Sequence, residues 1–286
     1  MKSFLQILLF LILITPSYYP QWTNQNPVPD GNDLWSTFFI DDTGWIVGSG
    51  GFIIKTTNAG LDWVEQNSGT TDILKSVQFI NPSTGWICGE GGLILKTTNG
   101  GSNWFSLTSG TTEHLTDIHF YDPDTGYVVG FGGTILKTTN GGSAWVSKSS
   151  GASIDLYSVD FVDALLGYAV GGMDPIAVLK TTDGGASWID KSNGINNSGG
   201  LGAVEFIDAN TGFVGGGNSF PNTIFKTTDG GDTWSLVLQP FLKRKEQNHR
   251  EQLLTYNIGG INSIYFKDSN IGYAASGDNH IRYLNL

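Results

Sequence analysis

The stretch Lys-Thr-Thr-Asn-Gly-Gly-Ser-Asn-Trp at residues 96–104 recurs along this chain and decides its fold. The general pattern is Lys-Thr-Thr-Asn/Asp-x-Gly-x-x-Trp, and its copies occupy residues 55–63, 96–104, 137–145, 180–188 and 226–234. Successive tryptophans of this pattern are 41, 41, 43 and 46 residues apart. A nearly fixed period of this length indicates a repeat architecture.

Two further patterns keep the same register. An alternating apolar segment of the type Leu74-x-x-Val77-x-Phe79 occurs five times, and a glycine followed by an aromatic residue, as in Gly85-Trp86, occurs six times. Each unit therefore resolves into four short strands, A to D, separated by a polar turn, a glycine turn and the Lys-Thr-Thr turn. Four antiparallel strands in about 41 residues predict one blade of a β-propeller.

We predict an all-β chain that forms a single propeller of six four-stranded blades over residues 21–286, with seven blades as the alternative. Trp22 lies 22 residues before Gly44, which is also the spacing from Trp63 to Gly85, so Trp22 matches a strand-D position. The sixth unit has strands A and B, a weak strand C at residues 280–283, and no tryptophan of its own. The N-terminal strand is therefore expected to complete the last blade and close the ring.

The Thr-x-Asn/Asp-x-Gly-x-x-Trp turn resembles the Asp-box of bacterial neuraminidase (BNR) repeats, which is also found in sortilin-type receptors and in sialidases and other glycoside hydrolases. The whole unit, with Thr84-Gly85-Trp86, the glycine turn and residues 96–101, most resembles propellers of the photosystem II stability and assembly factor type. The resemblance covers nearly all of residues 21–286. It implies a propeller, often of seven blades, and it says little about activity, because propellers carry many functions.

The Asp-box side chains are predicted to be structural. Asn, Asp and Thr side chains can accept backbone N–H bonds within a turn, the glycines permit positive φ, and each tryptophan is expected to bury roughly 200 Å² in the core. Three of the five acidic-type positions are Asn, which cannot act as a general acid or base. These structural positions are Asn58, Trp63, Asn99, Trp104, Asn140, Trp145, Asp183, Trp188, Asp229 and Trp234.

The N-terminus and the charge limit where the protein acts. Lys2 and the short apolar run at residues 4–14 predict a signal peptide over residues 1–20, with a buried N-terminal strand as the alternative. We therefore expect a secreted, periplasmic or cell-surface protein that does not span the membrane after signal cleavage. The net charge of −11 argues against nucleic acid and against anionic lipid surfaces as partners.

No residue pattern indicates a catalytic, metal or cofactor site. A sialidase needs several arginines from different blades, and a glycosidase needs two facing carboxylates. The histidines lack the spacing of metal ligands. The residues considered were Arg244, Arg250, Arg282, Glu90, Glu113, Asp155, Asp174, His114, His119, His249 and His280. We therefore predict a non-catalytic binding or assembly scaffold without a cofactor, whose partner is another protein or an envelope or extracellular component. The alternative is a carbohydrate-active Asp-box enzyme.

The insertions between repeats predict the binding face. They fall in the B–C turns at residues 171–177 and 215–223 and in the D–A connections, the longest at about residues 239–257. Both kinds of connection lie on one face, and insertions gathered on one face of a repeat fold indicate its binding surface. The longest insert is also the basic stretch, with a solvated charged loop as the alternative interpretation. The predicted partner-binding residues are Glu90, Phe131, Asp174, Phe220, Lys243, Arg244, Lys245 and Arg250.

Overall fold

The computed structural model describes residues 33–196, 199–216, 223–238, 243–247, 250–254, 261–266, 271–276 and 280–285. Within these residues, the regular elements are β-strands and three short 3-10 turns, at Ser49–Gly51, Glu90–Gly92 and Phe131–Gly133. The predicted signal peptide, the closing strand around Trp22, and Phe220 lie outside the described residues.

Five four-stranded antiparallel sheets follow one another along the chain, and each has its strands in sequence order. They are β1–β4 (Leu34–Ile40, Thr43–Gly48, Phe52–Thr56, Val64–Asn67), β5–β8 (Leu74–Phe79, Gly85–Gly89, Ile94–Thr97, Phe105–Leu107), β9–β12 (Leu115–Phe120, Gly126–Gly130, Thr134–Thr138, Val146–Ser149), β13–β16 (Leu156–Phe161, Gly167–Gly171, Ala177–Thr181, Ile189–Asp190) and β17–β20 (Ala203–Phe206, Gly212–Gly216, Thr223–Thr227, Ser235–Leu238). The predicted four-strand unit and the all-β propeller class are confirmed.

A two-stranded hairpin and a sixth sheet come after these five. The hairpin pairs β21 (Lys243–Gln247) with β22 (Arg250–Leu254), within the region predicted as an insert. The sixth sheet contains β23 (Ile261–Phe266), β24 (Ile271–Ser276) and β25 (His280–Asn285), in that order. β23 lies beside β17 and β18, so the sixth sheet continues the series.

Strand A is the innermost strand of each sheet. β1, β5, β9, β13 and β17 each contact the strand A of the next sheet, as expected when blades are arranged around a common axis. Burial falls from strand B to strand D: β6 is buried throughout, whereas β8 is largely exposed. This gradient explains why the strand-B pattern is continuously apolar or glycine, while strand D is polar.

The core lies between neighbouring sheets and contains a repeated ladder of aromatic rings. The aromatic residue that follows the strand-B glycine is fully buried and stacks on the phenylalanine of the next sheet's strand A. The ring centroids are 3.6 Å apart in Trp45–Phe79, 3.6 Å in Trp86–Phe120, 3.7 Å in Tyr127–Phe161 and 3.5 Å in Tyr168–Phe206. These stacks close the inter-sheet seams.

The Asp-box tryptophans have a smaller part in the core than the sequence suggested. Trp63, Trp104, Trp145, Trp188 and Trp234 are only partly buried. Four of them meet the same phenylalanine ladder edge-on; for example, the centroids of Trp104 and Phe79 are 5.8 Å apart. The reason is their position at the start of the outermost strand, where one side of the ring faces solvent.

Hydrogen bonds to one carbonyl lock each sheet to the next. Lys55 Nζ and Trp45 Nε1 both donate to the carbonyl of Gly100, at 2.9 and 3.2 Å. The strand register places the lysine opposite the aromatic residue, which lets both reach the same Asp-box glycine. The arrangement recurs with Lys96 and Trp86 on Gly141, Lys137 and Tyr127 on Gly184, and Lys180 and Tyr168 on Gly230.

Candidate functional site

The connections separate into two faces. The first residue of the B–C turn donates its N–H to the residue before strand A, as in Glu90 to Ile73 and Phe131 to His114. This places the B–C turns beside the D–A connections, and we call this side the B–C face. On the opposite side, the Asp-box turn donates to the A–B turn, as in Gly100 to Ser83. We call that side the Asp-box face.

The polar atoms of each Asp-box are used within the turn. The Thr97 hydroxyl accepts the N–H groups of Asn99 and Gly101 at 3.3 and 2.9 Å and donates to Asn99 Oδ1 at 3.0 Å. Asn99 Oδ1 also accepts the N–H of Asn103 at 2.9 Å. The same bonds recur at Thr56, Thr138, Thr181 and Thr227. This geometry stabilises the turn.

Two boxes carry a carboxylate, which makes them sensitive to acid. The hydroxyl and N–H of Ser187 lower the pKa of Asp183 to about 2, and those of Thr233 lower the pKa of Asp229 to about 2. The pKa of an aspartate in an unfolded chain is about 3.9. The stabilisation from these carboxylates is therefore present above the unfolded value and is lost as pH falls toward the folded value.

Replacing Asp183 and Asp229 with Asn should remove part of this acid sensitivity, because Asn already occupies the position in three boxes. We expect the double variant to have a lower urea midpoint than the wild type at pH 7. Between about pH 5 and pH 2 its midpoint should fall less steeply, so that the two curves converge. Parallel curves over this range would show that these carboxylates do not contribute to acid unfolding.

The inner strands carry a second set of polar contacts, which join sheets near the axis. Asp117 Oδ1 accepts the Ser76 hydroxyl at 2.8 Å, and Asp117 Oδ2 accepts the Val159 N–H at 2.9 Å. Burial raises the pKa of Asp117 despite these bonds. Two residues further along the same strand, His119 Nδ1 lies 3.5 Å from Asp160 Oδ1 of the next sheet. Because Asp117 links three neighbouring sheets, we assign it a structural role.

A row of side chains, linked by ring and charge contacts and by backbone hydrogen bonds, crosses the B–C face from the first sheet to the fourth. We call it the cross-blade strip, and its members are Trp35, Lys75, Glu90, His114, Phe131, Asp155 and Tyr157. Each neighbouring pair of sheets contributes residues that touch across the seam between them. The strip is the candidate functional site.

The strip begins at the seam between the first two sheets. Lys75 Nζ lies 3.3 Å from the centroid of the Trp35 ring, and Trp35 Nε1 donates to Ser49 Oγ at 3.1 Å. Lys75 also lies 3.9 Å from Glu90 Oε1. Burial lowers the pKa of Lys75, while the charges of Glu90 and Asp33 oppose that shift. Trp35 remains 49% exposed, so this end of the strip is open to solvent.

The next two seams continue the row with aromatic contacts. The N–H of Gly91 donates to His114 Nδ1 at 3.2 Å, and the His114 ring meets Phe131 edge-on at 5.3 Å. Phe131 meets Tyr157 edge-on at 6.3 Å. Asp155 Oδ1 accepts the N–H of Gly132 at 2.9 Å, and burial, followed by the charge of Asp155, raises the pKa of Tyr157.

The strip occupies positions at which the repeat varies. The second residue of strand A is Trp35, Lys75, Thr116 and Tyr157 in successive sheets, and the corresponding residue before β17 is Gly202. The core positions on the same strands stay apolar, as at Leu74, Leu115 and Leu156, which are all fully buried. Repeat proteins bind their partners through surfaces that successive repeats form together. We therefore expect the residue type to vary between repeats at positions that contact a partner and that folding does not constrain.

The structure brings together only some of the predicted partner-binding residues. Glu90 and Phe131 lie in the strip, and Asp174 is exposed in the B–C turn of the fourth sheet. Lys243, Arg244 and Lys245 belong to β21 and Arg250 to β22. Trp35, Lys75 and Tyr157 were not predicted; the signal that could have found them was their variation at fixed repeat positions. His114 and Asp155 had been considered only as metal or catalytic candidates.

The described residues hold no group of three or more His, Cys, Asp or Glu side chains placed to bind a metal ion. Cys88 is buried, and burial raises the pKa of its thiol. In the part of the chain that the structure describes, no helix has the length and apolar character needed to cross a membrane.

Comparison with known protein families identifies the family of this chain. The sequence matches the family described as "Photosynthesis system II assembly factor YCF48" over residues 19–112, 106–192 and 150–245. Together these matches run from residue 19 to residue 245, well over half of the 286 residues. The chain belongs to this family. No curated protein sequence matches it.

Solved structures with the same fold include members of the YCF48 family. YCF48 from Cyanidioschyzon merolae is 18% identical with a TM-score of 0.58, and the match covers 92% of this chain and 98% of that one. A structure of YCF48 bound to a D1 peptide is 16% identical with a TM-score of 0.66, over 91% and 80% of the two chains. These similarities establish a shared fold.

A glycoside hydrolase shares the fold as well. The GH74 enzyme of Niastella koreensis is 21% identical with a TM-score of 0.63. The match covers 85% of this chain and 43% of the enzyme. Because the identity is low and the fold supports many functions, this similarity does not assign an activity to this YCF48-family chain.

Proposed function

We propose that this protein is a non-catalytic scaffold that binds a partner protein outside the cytoplasm, in the manner of an assembly factor. Membership of the YCF48 family supports the assembly role, and a relative in that family has been solved with a bound D1 peptide. The predicted signal peptide supports the location. The observation that carries the proposal is the cross-blade strip, which presents varied polar and aromatic side chains where folding does not demand them.

The two faces differ in how their polar groups are used. On the Asp-box face, lysine, tryptophan and tyrosine side chains are bonded to glycine carbonyls of the next sheet, and the box side chains bond within their own turns. On the B–C face, the strip residues extend from short turns and strand beginnings. The basic hairpin lies in sequence between β20 and β23, which is a D–A connection. The B–C face is therefore the proposed binding face, with Glu90, Phe131, Asp174, Phe220, Lys243, Arg244, Lys245 and Arg250 as candidate contacts.

Excising the basic hairpin tests this assignment. We expect removal of residues 243–254, bridged by glycines, to lower recovery of the native partner from extracts of expressing cells by about tenfold or more, because a charged contact is lost. The control is Val146→Ser, which alters an exposed residue on the outer strand β12. Both variants should keep the wild-type circular dichroism spectrum.

Two results would contradict the proposal. Loss of the partner with Val146→Ser and not with the excision would place binding at the outer rim of the blades. Hydrolysis of xyloglucan or sialosides by the purified protein would show that it is an enzyme.

A further inference from the structure

We propose that the cross-blade strip binds an extended, lysine- or arginine-bearing segment of a partner protein. This rests on the proposed function, since it assumes that the B–C face is the binding face, and it adds the chemistry of the ligand. Three properties of the strip support it: an aromatic ring that already holds an ammonium group, excess negative charge, and a linear course across successive sheets.

The Trp35 ring shows how a cation is bound here. The Lys75 ammonium lies 3.3 Å from its centroid, well within the range in which cations are attracted to the face of an indole. The indole N–H is fixed by Ser49, so the ring is held in place rather than free to rotate. With 49% of its surface exposed, Trp35 offers further aromatic area to an arriving side chain.

Negative charge exceeds positive charge along the strip. Asp33 and Glu113 are exposed beside it, and Glu90 and Asp155 belong to it. Lys75 is the one cation in the strip, and it already lies near Glu90. Asp155 uses one oxygen on the Gly132 N–H, so its charge is held in position by the backbone. Charge complementarity therefore favours a cationic ligand.

His114 is held in place by the neighbouring sheet. Its Nδ1 accepts the N–H of Gly91 at 3.2 Å, which fixes the orientation of the imidazole ring. The imidazole and the Phe131 ring are perpendicular, and Phe131 is likewise perpendicular to Tyr157. These contacts hold Phe131 as a rigid apolar surface between Glu90 of the second sheet and Asp155 of the fourth. Such a surface suits the hydrocarbon part of a lysine or arginine side chain.

The course of the strip indicates an extended ligand. Contacts step from the first sheet to the second at Trp35 and Lys75, to the third at His114, and to the fourth at Tyr157. At the fifth sheet the equivalent positions are Gly200 and Gly202, which offer no side chain. A ligand that contacts the whole strip must cross the three boundaries between the first four sheets. An extended peptide segment can do so.

The test uses four fluorescein-labelled peptides of twelve residues that are identical except at four positions, which are all Arg, all Lys, all Glu or all Ser. Binding to the full chain is measured by fluorescence anisotropy at 0.15 M salt. We expect the Arg and Lys peptides to bind at least about tenfold more tightly than the Ser peptide, with Arg the tighter of the two, and the Glu peptide not to bind.

Matched variants separate the strip from the overall charge. Glu90→Lys with Asp155→Lys changes the net charge by +4, and so does Glu65→Lys with Asp124→Lys, which alters exposed residues outside the strip. The strip variant should weaken binding of the Arg peptide by about tenfold, whereas the control should change it less than about twofold. Trp35→Ala should also weaken it. Each variant is checked for a wild-type circular dichroism spectrum and urea midpoint.

Equal weakening by the two double variants, or no preference for Arg and Lys over Ser, would overturn the proposal. Tighter binding of the Glu peptide would indicate an anionic ligand and would overturn it as well. If the peptide test fails while excision of the hairpin still abolishes partner recovery, the proposed function stands and only the assigned ligand chemistry is wrong.

Discussion

Replacing Trp86 with alanine is expected to lower the free energy of unfolding by about 4–5 kcal/mol, at the upper end for truncation of a buried aromatic residue. The side chain is fully buried and stacks on Phe120 with a centroid distance of 3.6 Å. Its Nε1 donates to the carbonyl of Gly141 in the next sheet. The substitution would therefore open a cavity between two sheets and remove one of the two side-chain hydrogen bonds to the Gly141 carbonyl. Equilibrium unfolding in urea would measure the loss of stability.

Trp104→Ala is the matched comparison, because it removes the same side chain from an Asp-box in the same sheet. Trp104 is only partly buried, and its Nε1 is buried without an acceptor among the described residues. We expect a loss of about 2 kcal/mol, since less apolar area returns to water. Equal losses for the two variants would show that the Asp-box tryptophans contribute as much to the core as the strand-B aromatics do, contrary to this expectation.

Gly92→Ala should be among the most damaging single-methyl substitutions in the B–C turns. Gly92 has a φ of +76°, and an added Cβ would lie 2.0 Å from the carbonyl oxygen of Thr111, a backbone atom that cannot move aside. We expect a loss of more than about 3 kcal/mol, since the backbone strain of positive φ adds to the displacement of the neighbouring connection.

Gly91→Ala is the control for the Gly92 variant, because the two residues are adjacent in the same turn. Gly91 also has positive φ, at +65°, but an added Cβ would meet no atom within 4 Å. Only the conformational cost applies, so we expect about 1–2 kcal/mol. If the urea midpoints of the two variants coincided, steric contact between the B–C turn and the D–A connection would not be the reason that residue 92 is glycine.

The blades could be predicted from sequence because each is a local structure. The strand-A alternation, the Gly-aromatic start of strand B and the Lys-Thr-Thr turn each specify a strand or turn within about 41 residues. The burial of the tryptophans was predicted less well. A recurring tryptophan marks the start of strand D, but spacing does not report that strand D is the outermost strand, where one side of Trp104 faces solvent.

The cross-blade strip could not be found by reading motifs. Trp35, Lys75, His114 and Tyr157 share no residue type, and they meet only because neighbouring sheets place their B–C turns and strand-A ends side by side. Glu90 and Phe131 were predicted because they lie in a B–C turn, which is a local property. Lys75 contacts Glu90, and His114 contacts Phe131, within single sheets. The row continues from one sheet to the next only in the assembled propeller, and a repeat motif does not report that.

Site-specific photo-crosslinking tests the central claim most directly, that a partner binds on the B–C face. A benzophenone amino acid would replace Phe131 in the strip, and in a second protein it would replace Phe105, an exposed phenylalanine on the outer strand β8. After irradiation in extracts of expressing cells, we expect a discrete covalent adduct from position 131 and none from position 105. An adduct from position 105 alone would place the partner on the outer rim and contradict the account.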